Sequence, residues 1–184
     1  MPPKKAAKKS AKHHDDKHHH AKDLRRAYEH LGRVEILRHV LSGHGDDIAM
    51  LVDLAQRQIA SGGVKNAADM LRAAEHLGFA AILNRAPGKT EVFGDLMTAV
   101  DEEFERLEAK ARDHWEAASP DPAMSRIFED SLKMAVIARD HGAYRQALEL
   151  VRAAEALAHV KNGKQKPGPK RVAASSNVRE LAAS

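Results

Sequence analysis

Apolar residues recur at spacings of three and four over six stretches of this chain, separated by short runs of Gly, Pro, Ser and Asp. That period places side chains on one face of an α-helix. The first stretch, about 22–41, carries Leu24, Ala27, Leu31, Val34, Leu37 and Leu41, and Ser42-Gly43-His44-Gly45 ends it. The second, about 47–60, carries Ile48, Leu51, Leu54, Ala55 and Ile59, with Asp46 or Asp47 as its cap and Gly62-Gly63 as its stop. The third, about 64–84, uses Ala67, Leu71, Ala74, Leu77 and Ala81, and Ala86-Pro87-Gly88 breaks it. The fourth, about 90–118, has the strongest stripe: Phe93, Leu96, Met97, Val100, Phe104, Leu107, Ala111 and Trp115. Asp121 caps a fifth helix, about 122–140, with Pro122 at its first position and Ile127, Phe128, Leu132 and Ala135 inside. After Gly142 a sixth, about 143–160, uses Tyr144, Ala147, Val151, Ala154 and Leu157. No period-two run competes. The sequence predicts an all-α fold, a compact bundle of about six helices built from antiparallel αα-hairpins.

Composition sharpens this picture. Hydrophobic residues are 43% of the chain but aromatics only 4%, and the apolar content is mostly Ala and Leu, which suits closely packed helices. Charge divides the chain in three. Residues 1–22 hold seven Lys against Asp15 and Asp16, a net of +5, and residues 161–184 hold four Lys and two Arg against Glu180, again +5. With +4 for the whole chain, the span between them carries −6. Residues 1–21 therefore read as a disordered Lys/His-rich tail, 22–160 as an acidic helical domain and 161–184 as a Pro/Gly-containing basic tail. The chain has no Cys, which excludes disulfides, thiolate metal sites and cysteine nucleophiles. Apolar runs reach four or five residues, too short to span a bilayer, and no signal peptide precedes them. A cytoplasmic location is the simplest expectation.

A short pattern recurs on three of these helices. It reads Arg26-Ala27-Tyr28-Glu29-His30-Leu31-Gly32, then Arg72-Ala73-Ala74-Glu75-His76-Leu77-Gly78, then Arg152-Ala153-Ala154-Glu155-Ala156-Leu157-Ala158. Upstream, Gly62, Val64, Ala67, Leu71 and Ala74 align with Gly142, Tyr144, Ala147, Val151 and Ala154. This spacing resembles the second helix of a tetratricopeptide repeat, with Leu51, Leu54 and Ala55 where the first helix of such a unit carries its contacts. The 135–151 stretch is also similar to the helical hairpin of microtubule-interacting-and-transport domains. The two hairpins lie 80 residues apart and lack the closing proline, with Phe79 and His159 in its place. The resemblance implies a close αα-hairpin, with Tyr144, Arg72 and Arg152 as candidates to line a partner groove. A tight antiparallel helix pair of no particular family gives the same alanine spacing.

Candidate chemistry is concentrated in the tails. His13, His14, His18, His19 and His20 stand beside Asp15 and Asp16, a donor set suited to Zn²⁺, Ni²⁺ or Cu²⁺, or simply a solvated tail. Lys4, Lys5, Lys8, Lys9 and Lys12, with Lys164, Lys166, Lys170 and Arg171, form Lys-rich segments that neutralise phosphates without reading bases. In composition these segments resemble linker-histone tails. His30 and His76 hold equivalent positions in the repeat; the Leu71 to Leu83 stretch superficially resembles a phosphotransfer helix, but that resemblance implies Lys-Gly soon after the histidine, where Leu77-Gly78 stands. No Glu has a His three residues later, no His-Glu-x-x-His occurs, and no glycine-rich phosphate loop is present. Asp101, Glu102, Glu103, Glu105 and Glu108 read as a solvated face of the fourth helix.

These features point to a non-enzymatic interaction or scaffolding module with a protein partner or self-association, and to no cofactor, small-molecule substrate or membrane span. A sequence-nonspecific nucleic-acid protein acting through its tails is the second expectation, and a metal-binding protein using the histidine cluster the third.

Overall fold

Two glycine turns, 80 residues apart, organise the fold. Gly62 and Gly142 adopt left-handed φ values of 86° and 75°. Around the first, Gly63 N–H donates to the Gln58 carbonyl at 2.7 Å and Gly62 N–H to that of Ile59 at 3.1 Å. Around the second, Ala143 N–H donates to Ala138 at 2.8 Å and Gly142 N–H to Arg139 at 2.8 Å. Both are Schellman endings, in which a residue without Cβ strain turns the chain while orphan carbonyls find donors. Each folds one helix back on the next.

The computed structural model describes residues 5–41, 45–85, 94–116 and 121–161, with side chains from residue 19 in the first helix and from 99 in the fourth. Among the described residues there are six helices and no strand: α1 (Lys5–Val40), α2 (Asp46–Ala60), α3 (Val64–Arg85), α4 (Gly94–Glu116), α5 (Pro122–Asp140) and α6 (Tyr144–Ala158). The all-α bundle expected from the periodicity is what forms. Two details differ. α1 starts at Lys5, not near residue 22, because the Ala/Lys/His run after Pro3 holds strong helix formers and no Gly or Pro to stop it. α2 has Gly45 at its cap position with no side-chain cap, and Asp46 and Asp47 lie inside its first turn, where they complement the helix dipole. Asp121 caps α5 as expected, its Oδ1 accepting from Ala123 N–H at 2.8 Å, with Pro122 at the helix start.

The six helices form two equivalent halves. α3 packs against α1, α2 and α6, and α6 packs against α4, α5 and α3. Arg72 meets Glu155 and His76 meets Glu149, so α3 and α6 run antiparallel. His30 of α1 meets Glu75, and Leu41 accepts from Arg85, so α1 runs parallel to α3. At the seam between the halves Ala73, Ala74, Ala153 and Ala154 are all fully buried, and their small side chains let the two central helices approach closely. Being surrounded, α3 and α6 bury more than one stripe: Met70, Ala80, Leu150 and Ala156 are buried beside the residues the period selects.

The outer helices close the core. Val34 and Leu37 of α1, Leu41 just after it, and Ile48, Leu51, Val52 and Ala55 of α2 are buried around α3. In the second half Phe104, Leu107 and Ala111 of α4 and Ile127, Phe128 and Leu132 of α5 are buried in the same core. Trp115 stacks on Phe128 with centroids 4.1 Å apart, and Arg139 lies over the Phe104 ring at 4.6 Å. Buried Ser131 donates to the Ile127 carbonyl at 2.6 Å, which satisfies its hydroxyl. Beyond α6, Asn66 clasps Lys161: its Nδ2 donates to the Lys161 carbonyl at 2.7 Å and its Oδ1 accepts from Lys161 N–H at 3.2 Å.

α1 approaches α3 over Gly78. A Cβ there would stand 2.9 Å from Leu37 Cδ1 and 3.2 Å from Leu37 Cβ. Gly78→Val is therefore expected to lower stability by about 2 kcal/mol, because overpacking outweighs the relief of a mid-helix glycine. Urea denaturation measures this, and an unchanged midpoint would contradict the close approach.

Candidate functional site

The repeated Arg-Ala-Ala-Glu segments of α3 and α6 build a line of ion pairs along the inter-helix seams. Glu75 on α3 is gripped from α1: His30 Nδ1 lies 2.6 Å from its Oε2 and Arg33 Nη1 lies 3.4 Å from its Oε1. Glu155 is the equivalent residue of α6 and carries three partners. Arg72 Nη2 donates from α3 at 2.7 Å, Lys110 Nζ from α4 at 2.7 Å, and His159 Nε2, at the C-cap of α6, lies 2.8 Å away. Between them His76 Nδ1 of α3 reaches Glu149 Oε2 of α6 at 2.7 Å, and Arg152 Nη1 donates to the other oxygen at 2.8 Å.

Arg33 and Lys110 thus play the same part in the two halves. That correspondence aligns α1 with α4, pairing Ala27 with Phe104 and Val34 with Ala111, all buried.

The carboxylates are tuned by these contacts. Burial pushes the Glu155 carboxyl up, but hydrogen bonds from Lys110 and His159 and the charges of Arg72 and His159 outweigh it and hold the group at about 2. Burial likewise raises Glu149, and the hydrogen bond and charge of His76, with those of Arg152, bring it below the ordinary carboxylate range. At one end of the seam the His114 and His159 rings lie 4.7 Å apart. His114 Nδ1 and Arg72 Nε are buried without a hydrogen-bond partner among the described residues. On α4, Arg106 lowers half-buried Glu103 through a hydrogen bond. At the helix starts Arg126 of α5 binds Asp47 of α2, which raises the guanidinium further.

No family model, curated protein or solved structure matches this chain.

Residues singled out from the sequence fall in different places. Arg72 and Arg152 lie in the seam, engaged with Glu155 and Glu149, while Tyr144 is half-buried at the first residue of α6, about two turns from Arg152. Lys5, Lys8, Lys9, Lys12, His13, His14 and His18 lie on the backbone of α1, and their side chains fall outside the described residues. His19 and His20 are exposed on the same helix. Lys4, Lys164, Lys166, Lys170 and Arg171 lie outside the described residues, and among those described no group of three or more His, Asp or Glu is placed to hold a metal ion. His30 and His76, read as equivalent, both bind a glutamate on a neighbouring helix, Glu75 of α3 and Glu149 of α6.

The seam residues went unnoticed as a set because charged residues in a helix look like surface residues. Their signal lay in the repeat itself, which places Arg three residues before Glu in both central helices.

A second group of exposed side chains is apolar. Tyr28, Ile36 and Val40 of α1 are 57%, 67% and 57% exposed, and Met134 and Ile137 of α5 are 47% and 40% exposed. Tyr28, Gly32, Ile36 and Val40 recur every four residues and so follow one ridge of the outward face. Glu29, Arg33 and Glu35 flank it.

Proposed function

We propose that this chain is a non-enzymatic protein-interaction module, a helical scaffold of tetratricopeptide-like hairpins that presents apolar side chains to a protein partner. The observation that carries the reading is the exposed apolar residues of α1 and α5 on helices fixed from behind by a packed core. Such residues contribute little to the monomer and bury area when a partner covers them. The ion-paired seam supports the same reading, because its histidines and carboxylates serve to hold helices in register. A photo-cross-linking side chain at position 36, 134 or 137, in the cell of origin, should give a discrete protein adduct absent at positions 105 and 113. No protein adduct at any of the three positions would overturn the reading.

One observation favours a second reading, binding of a nucleic-acid polyanion. The Asn66 clasp holds Lys161 beside the start of α3, about 13 Å from the level of Glu75, and Lys22 lies about 12 Å from His30 in the same direction along parallel α1. Lys22 and Lys161, from which the two basic segments of the sequence continue, therefore lie at one pole of the acidic body. In a salt series with random-sequence duplex DNA, this reading predicts binding by the full chain that weakens steeply with salt and is lost when residues 1–22 and 162–184 are removed. Equal binding without the ends, or none at low salt, would refute it.

A further inference from the structure

The chain contains an internal control for its own surface. With Arg33 matched to Lys110, the outward ridge Tyr28, Gly32, Ile36 of α1 corresponds to Glu105, Ala109, Asp113 of α4, all exposed. The inward faces of these two helices do the same job, yet the outward face is apolar on α1 and acid-bearing on α4. Folding the half-domain does not require an apolar outward face. Resting on the interaction-module reading above, we infer that the α1 ridge docks on the same ridge of a second copy of this chain, as an antiparallel helix pair crossing near Gly32.

Three features select a second copy. First, Gly32 sits mid-ridge with nothing within 4 Å of an added Cβ, so its surface is open and another backbone can come close. Second, ridges of residues four apart interdigitate with ridges of the same spacing, the commonest helix-packing mode, and this ridge can serve both sides. Third, the flank is self-complementary. Arg25, Glu29 and Arg33 follow each other at four-residue steps with alternating sign. A twofold axis midway between Glu29 and Arg33 passes within one residue of Gly32. It brings Glu29 of each copy to Arg33 of the other on the same side of the crossing. A uniformly acidic partner would oppose Glu29 by like charge, and a uniformly basic one would oppose both Arg25 and Arg33. One helix crossing is a small interface, so the expected dissociation constant is on the order of tens of micromolar.

Sedimentation velocity of the full chain, from about 5 to 500 µM, tests this in the native chain and three variants. The native chain should dimerise within that range. Ile36→Glu, at a position 67% exposed, should stay folded and monomeric throughout. Gly32→Ala is the decisive variant: it should raise the thermal midpoint of the monomer, since alanine favours helix, and weaken dimerisation at least about tenfold. Glu29→Arg should weaken the dimer, since it sets like charge against Arg33 of the other copy. A native chain that remains monomeric at every concentration overturns the inference. So does a dimer indifferent to Gly32→Ala or to Glu29→Arg. A monomeric chain whose position 36 still cross-links to a different protein would overturn self-docking and leave the interaction reading standing.

Discussion

Glu155→Gln is expected to lower the free energy of unfolding by about 3 kcal/mol at pH 7, the cost of leaving charged groups without their counter-ion in a protein interior. Glu155 is 10% exposed and receives Arg72, Lys110 and His159 at 2.7–2.8 Å. A neutral amide satisfies at most part of that geometry and none of the charge. Lys110 is 42% exposed and regains water when released, which keeps the loss from being larger. Glu75→Gln should cost less, because Arg33 is more exposed and its contact is longer, at 3.4 Å. The pH dependence has a definite sign. The folded carboxyl of Glu155, at about 2, lies below the ordinary 4.5, so its contribution is complete above about 4.5 and fades as pH falls toward 2. The gap between native and Glu155→Gln chains in urea denaturation should close over that window. A gap that is absent at pH 7, or that widens in acid, would show that the seam is not held by this charge.

Phe128→Ala should be at least as damaging, with a loss of about 3–4 kcal/mol. Phe128 is 1% exposed, and its ring stacks on Trp115 at an interplanar angle of 3°. Removing it leaves a cavity between α4 and α5 and deprives the indole of its neighbour. Trp115 is the chain's one tryptophan, so its fluorescence reports this site alone. The variant should unfold at lower urea and show a red-shifted emission before unfolding begins. Ile48, the equivalent buried residue of α2, should cost less when cut to Ala, since it is smaller and has no stacked partner in the ring contacts described.

Much of the fold could be read in the sequence because the signals are local. Gly62 and Gly142 announce their turns through residue type alone, and Asp121-Pro122 names a helix start with the geometry later found. The inward residues of α1, α2 and α5 follow the period because each of those helices buries mainly one face. α3 and α6 were harder, since period finds one stripe and these helices are enclosed on several sides, as Met70, Ala80 and Ala156 show. The early start of α1 was obscured because a Lys/Ala/His run satisfies both a helix and a solvated tail. The seam demanded knowledge of which copies meet. Arg72 could have faced Glu75 or Asp69 on its own helix, and only the antiparallel docking of α3 on α6 sends it to Glu155.

That docking also sets where the two hairpin tips go. Because α3 and α6 run in opposite directions, the turns at Gly62 and Gly142 emerge at opposite ends of the molecule, and both glycines are exposed. A 22-residue α3 is about 33 Å long, so the two tips stand apart by roughly the length of that helix. Fluorophores attached at the two tips would therefore act as a molecular ruler. They would register the halves coming apart while the helices themselves stay intact, an event to which circular dichroism is blind.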